Sequence, residues 1–214
     1  MTGSAAARPS NTEERRAQIA GALLKVMAKR GYDGASVADI ARVAKLTPGL
    51  VHYHFTSKQE ILLAAIAELV GRHDAALKER LGAAGEDPAA QVAAFIDFHL
   101  GLGAYADPEA LAVWILLGGE ALRQPEVRRE YAAALTAWIA TLAGLIRRGA
   151  KEHAFECHSP EAAASALVAA IQGYFALAAT AREAIPKGSA ATSTLRMAEG
   201  LLHPKRRFTP EGRR

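Results

Sequence analysis

"LTPGLVHYHFTSKQE", residues 46–60, carries two helix starts and three rings with polar handles in one short run. Thr47 can cap a helix whose first position is Pro48, where a missing N–H costs no hydrogen bond. Ser57 with Glu60 three residues on has the capping-box pattern and opens another helix. Between them, residues 48–55 hold His52, Tyr53 and His54 but little apolar surface. Projected at about 100° per residue, Val51 and Phe55 share one stripe that must face a core. Gly49, Leu50 and Tyr53 lie opposite, with Pro48 and His52 on one flank and His54 on the other. The polar rings therefore face outward, which suits a surface laid against another molecule and disfavours a sealed catalytic pocket.

Upstream, "SVAD" places a cap at Ser36 with Asp39 three residues later, and predicts a helix from about Val37 to Ala44. Val37, Ile40 and Val43/Ala44 form its apolar face. Two short helices joined by about three residues have the spacing of a helix-turn-helix, whose second helix enters a major groove. A first helix fits Thr12 to Arg30, with Ile19, Leu23, Val26 and Met27 at helical spacing and Gly31 closing it. Downstream, a long helix over 57–81 is followed by helices at about 88–103, 108–122, 125–153, 160–184 and 189–202. Asp-Pro steps and the segments "CHSPE" and "AIPKGS" separate them. With no strand-like alternation, the chain reads as all-α with about nine helices. Its expected parts are a disordered tail (1–11), a helix-turn-helix domain (12–58), a helical body (59–202) and a basic flexible tail (203–214).

Net charge is +4, and its distribution is uneven. Residues 1–58 hold nine Lys/Arg against four Asp/Glu, residues 59–202 hold twelve against seventeen, and residues 203–214 hold five against one. A basic head on an acidic body is the footprint of a polyanion-reading module attached to a body that does not read. One cysteine, Cys157, excludes an internal disulfide framework. The first residues lack the apolar stretch of a secretory signal, and no apolar run approaches the roughly 20 uncharged residues of a membrane span. A cytoplasmic location and no membrane partner are expected. "HAFECH" puts His153 and Cys157 four apart with His158 beside them, but no third ligand is in view, so no metal or other cofactor is expected. Nucleophile elbows, phosphate loops and paired carboxylates are missing, so the chain is not read as an enzyme.

Residues 16–63, and "GLVHYHFTSKQEIL" within them, resemble the DNA-binding domain of the tetracycline-repressor (TetR) family of bacterial regulators. That resemblance implies an N-terminal three-helix DNA-binding domain and a C-terminal helical domain for ligand binding and dimerisation. The implied function is a homodimeric, ligand-responsive regulator, a repressor released from a palindromic double-stranded operator by a small effector. The family's DNA-contacting positions fall on Ser36, Val37, Thr47, Pro48, Gly49, Leu50, His52, Tyr53, His54 and Lys58. Two positions depart from the family: Lys45 stands where the turn is usually glycine, and His52 where tyrosine is usual. A weaker similarity of general C-terminal layout is to the choline-responsive BetI-like branch. A DNA-binding structural protein of the same fold, with a protein partner and no effector, is the alternative.

In the body, Phe95, His99 and Leu102 share a helix face, as do Tyr131, Trp138 and Leu142; Trp114, Gln172 and Phe175 join them as expected pocket residues. Such faces suit an apolar or aromatic molecule, or a cation held by rings, with Glu120 as the expected polar anchor. Helices 160–184 and 189–202 resemble the family's dimer interface, with Leu167, Ile171, Phe175 and Leu195 as its expected apolar face.

Overall fold

The computed structural model describes residues 11–101 and 108–208 of the chain. Among these it is all-helical, as expected. The elements are α1 (Asn11–Arg30), α2 (Val37–Ala44), α3 (Pro48–His54), α4 (Lys58–Ala83), α5 (Pro88–Leu100), α6 (Pro108–Ala121), α7 (Pro125–Lys151), α8 (Pro160–Thr180) and α9 (Ser189–Leu202).

The caps set the boundaries. Ser36, Thr47, Ser57 and Asp87 each accept a backbone N–H from the first turn of the helix that follows. Phe55 turns extended (φ −141°, ψ 132°) and ends α3 one residue early. The predicted 160–184 helix breaks at Ala181 (φ −149°, ψ 54°), and Arg182–Ala184 form a separate 3-10 turn. Leu102, an expected pocket residue, lies outside the described residues. α7 stops at Lys151 and His153 is left-handed (φ 57°), so His153 and Cys157 do not share a helical face.

α1 is the hub of the N-terminal module, packing on α2, α3 and α4, and it also meets α6 of the body. α4 leaves the module and runs on against α5 and α7. α7 and α8 form the spine of the body, with α5, α6 and α9 around them. One continuous core joins the two parts, from Ile19, Leu23 and Met27 to Leu142, Leu167 and Ile171.

Two expectations need correction. Residues 203–208 are not a loose tail. Phe208 is 7% exposed, packs edge-on to Phe155 with ring centres 5.8 Å apart, and its N–H donates to Glu199 at 3.0 Å. The Lys205 N–H donates to the Ala154 carbonyl and the Glu156 N–H to that of Leu202, so this segment and the α7–α8 loop tie each other down. One aromatic among basic residues was enough to dock it. The second concerns the membrane test: α8 is long and apolar enough, by length and composition, to cross a bilayer. Only one of its sides is used within the subunit, where Leu167, Ile171 and Phe175 enter the core.

Candidate nucleic-acid interface and the helical body

α3 is anchored as its spacing predicted. Val51 and Phe55 are 1% and 2% exposed, while His52 and Tyr53 are exposed, Tyr53 by 80%. Thr47, Pro48 and Gly49 are open to solvent; Leu50 and His54 are half-buried. No Cβ placed on Gly49 would meet a neighbour within 4 Å, so the backbone there is bare. The Tyr53 and His54 rings meet edge to face, 5.1 Å between centres. Thr47 Oγ1 accepts the Leu50 N–H at 3.3 Å. Ser36 Oγ accepts the Asp39 N–H and donates to the Asp39 carboxylate, which Arg30 and Arg42 also pair. The Ser36 hydroxyl and then Arg42 hold the Asp39 carboxyl down to about 2. Val37 is half-buried behind this cluster.

Lys58 is placed differently from its expected role. Its ammonium donates to the Tyr32 carbonyl at 2.9 Å and lies 4.3 Å from the Tyr32 ring centre, pinning the α1–α2 turn. Arg16, which spacing did not single out, clamps the end of α3. Its guanidinium sits 4.0 Å over the Phe55 ring, donates to the His54 carbonyl and pairs with Glu60. Gln18 donates to the Ala44 carbonyl at 2.6 Å, satisfying the end of α2. Both contacts span dozens of residues, so no local pattern announces them.

In the body, α4, α5, α6, α7 and α8 bring rings together. Tyr131, Trp114, Trp138 and His73 stack in a column, with successive ring centres 4.6, 5.0 and 4.3 Å apart. His99 lies beside it, tilted against Phe95, Trp138 and Phe175. Its Nδ1 donates to the Phe95 carbonyl at 2.7 Å, and its Nε2 meets His73 Nε2 at 3.2 Å. Burial, then the charge on His73, pushes His99 down to about 3; burial also lowers His73. Gln172 joins the group by accepting from Trp114 Nε1 at 2.8 Å. His73 was missed because it lies on the long α4, where one ring between Arg72 and Asp74 reads as surface.

Glu120 does not join these rings. It pairs with Arg123 and accepts from Gln124 at the α6–α7 turn, where Arg123 also meets Asp33 at 3.5 Å. Close by, Gln59 donates to Glu126 at 3.2 Å. Glu120 thus belongs to the junction between body and module. The four expected interface residues, Leu167, Ile171, Phe175 and Leu195, are already at most 6% exposed in the single subunit. Large side chains fill the subunit's own core. The outward stripe is Ala162, Ala166, Ala169, Gly173 and Leu177 on α8, beside Met197, Gly200 and Leu201 on α9.

Comparison with known proteins agrees with this geometry. Residues 19–65 match the model of bacterial regulatory proteins of the tetR family, and residues 88–203 match that of the BetI-type transcriptional repressor C-terminal region. The HTH-type transcriptional regulator BetI of Rhizobium meliloti (strain 1021) is 35% identical over 117 residues, 54% of this chain and 56% of that protein. Its counterpart in Ectopseudomonas mendocina (strain ymp) is 32% identical over 54% of this chain and 59% of its own. The chain thus spans a little over half the length of these curated relatives. Among solved structures, a transcriptional regulator from Saccharomonospora viridis in complex with choline superposes with TM-score 0.80 at 24% identity, covering 89% of this chain and 98% of that one. A TetR transcription regulator from Haloarcula marismortui gives TM-score 0.80 at 18% identity, covering 89% and 99%. At these identities the likeness is one of fold.

Proposed function

We propose, for a chain that belongs to the TetR family of bacterial regulatory proteins with a BetI-type C-terminal region, the work of a homodimeric repressor released from DNA by a small molecule. The observation that carries this reading is α3 itself, held from behind by Val51, Phe55 and Arg16 while Tyr53 and His52 face outward. Thr47, Tyr53 and His54 offer donors to phosphate, bare Gly49 admits the backbone closely, and Leu50 and His52 are the side chains to meet base edges. The outward stripe is the face for a second copy: Ala162, Ala166, Ala169 and Gly173 on α8 are small and let helices approach closely across a two-fold axis, while the exposed Leu177, Met197 and Leu201 offer apolar surface to bury. Two α3 helices then lie about 34 Å apart, or a multiple of that, and favour a palindromic site.

The ring cluster is the seat of the effector. Ring faces suit an apolar molecule or a cation such as the choline held by the Saccharomonospora viridis protein. Ligand bound there shifts α4, and the Arg123–Asp33 and Gln59–Glu126 contacts carry the shift into the module. Coupling of this kind requires the ligand to prefer the state whose α3 spacing no longer fits DNA.

Selection of bound genomic fragments with the purified chain, followed by challenge of the complex with choline and other metabolites, tests the reading. Salt-sensitive, sequence-preferring binding that some metabolite reverses is expected. Binding that is absent, or indifferent to sequence, ends it.

A further inference from the structure

Within the ring cluster, two buried donors have no partner. Trp138 is 3% exposed and its Nε1–H meets no acceptor. Nε2 of Gln172 is also buried and unpaired. The orientation of this amide is set by its other end, because Oε1 accepts from Trp114 Nε1 at 2.8 Å and from the Tyr131 hydroxyl at 3.4 Å. The NH2 group must then point away from both. Trp114 links the two orphans, bonded to Gln172 and stacked on Trp138. Buried donors are almost always satisfied, and an unmet one costs free energy that a bound acceptor would return. Trp138 is held by ring contacts with His73, His99 and Trp114 and by no hydrogen bond of its own.

We infer that the body takes a small molecule bearing a neutral oxygen acceptor (a hydroxyl, ether or carbonyl) that receives hydrogen bonds from Trp138 Nε1 and Gln172 Nε2, while the rest of it lies against the rings. This rests on the effector reading above and names the chemistry the site selects. A carboxylate is disfavoured. The groups that meet here are indole, phenol, carboxamide and imidazole, and burial moves both His73 and His99 toward their neutral forms. An anion enclosed among them would lack a compensating charge.

Matched probes test this on the full chain. Choline is compared with propyltrimethylammonium, in which methyl replaces hydroxyl, and acetophenone with α-methylstyrene, in which methylene replaces the carbonyl oxygen. Glycine betaine and benzoate serve as the carboxylates. Trp114 and Trp138, the two tryptophans of the chain, report binding by their fluorescence. In at least one pair the oxygen-bearing member should bind about tenfold more tightly, the worth of one or two neutral hydrogen bonds, and the carboxylate should not exceed it. Trp138→Phe removes the N–H together with part of the indole ring, so it is read by the preference within each pair and not by absolute affinity, and Gln172→Glu keeps an acceptor for Trp114 and Tyr131 while its ionised form loses the donor. Each should cut the preference to about twofold or less. Equal binding within both pairs, no binding by any probe, a carboxylate that binds tightest, or a preference that survives in both variants overturns the inference. Operator binding by the unaltered chain is followed in parallel. If it persists while the oxygen preference fails, the ligand chemistry is wrong and the regulator reading stands; if it is absent, that reading falls too.

Discussion

Lys45 ends α2 in the left-handed region (φ 56°, ψ 41°), with its N–H on the Arg42 carbonyl and the next N–H on that of Ala41. A side chain there costs roughly 1–2 kcal/mol compared with glycine, which enters the region freely. The position is flagged through the family resemblance, which puts Lys45 at a turn that is usually glycine; the left-handed backbone itself is seen only in the structure. Lys45→Gly should raise the unfolding free energy by about 1 kcal/mol, part of the relief being lost to the freer unfolded chain. A shift in the urea midpoint without change in slope would show it. Because the Lys45 side chain is exposed beside the start of α3, the same variant should weaken operator binding and lower its salt slope by about one. An unchanged slope would mean that the lysine touches no phosphate. Arg16 is the counterexample at this scale: it reads as one more surface charge on α1, and its place over Phe55 exists only once α1, α3 and α4 are assembled.

At the scale of the helix, α5 carries His99 into the core, donating to the Phe95 carbonyl one turn back. Its folded pKa of about 3 lies below the 6.5 of an unfolded imidazole. Between the two values the unfolded chain holds the extra proton, so stability is full above about pH 6.5 and falls as pH drops toward 3. His73, lowered by burial, adds in the same direction. From pH 7.5 to 5 the His99 contribution should be about 2 kcal/mol, read from urea midpoints. His99→Asn, whose amide can keep the bond to Phe95, should flatten much of that decline. The C-terminal end of α7 depends on a glycine for a different reason. A Cβ on Gly149 would collide with the Phe155 ring, which in turn holds Phe208. Gly149→Ala should therefore lower stability by about 1–3 kcal/mol, visible as a lower melting temperature. An unaltered melting temperature would show that Phe155 moves aside at no cost.

For the whole molecule, the proposed dimer turns on which side of α8 is free for a second copy. Leu167, Ile171 and Phe175 are consumed inside the subunit, and the outward side includes an apolar stripe of Ala162, Ala166, Ala169, Gly173 and Leu177. Ala169→Glu puts a charge on that stripe without touching the core. It should turn a dimer into a folded monomer by sedimentation and reduce operator affinity at least about tenfold, since two linked half-site contacts become one. A dimer that survives the substitution would place the interface elsewhere. The junction is likewise a property of the whole: Asp33, Gln59, Glu120, Arg123 and Glu126 come from separate helices and loops and meet only in the folded chain.

Helix existence, the turn between α2 and α3 and the outward face of α3 were determined by the sequence alone, because caps, a proline at a first turn and the period of apolar residues act within a few positions of one another. Tertiary structure alone decided the rest. Burial distributes side chains by what lies opposite them, and no local pattern records that. It sent Leu167, Ile171, Phe175 and Leu195 into the subunit, moved Glu120 to the junction, drew His73 and Phe208 inward, and left Trp138 and Gln172 with buried donors unmet.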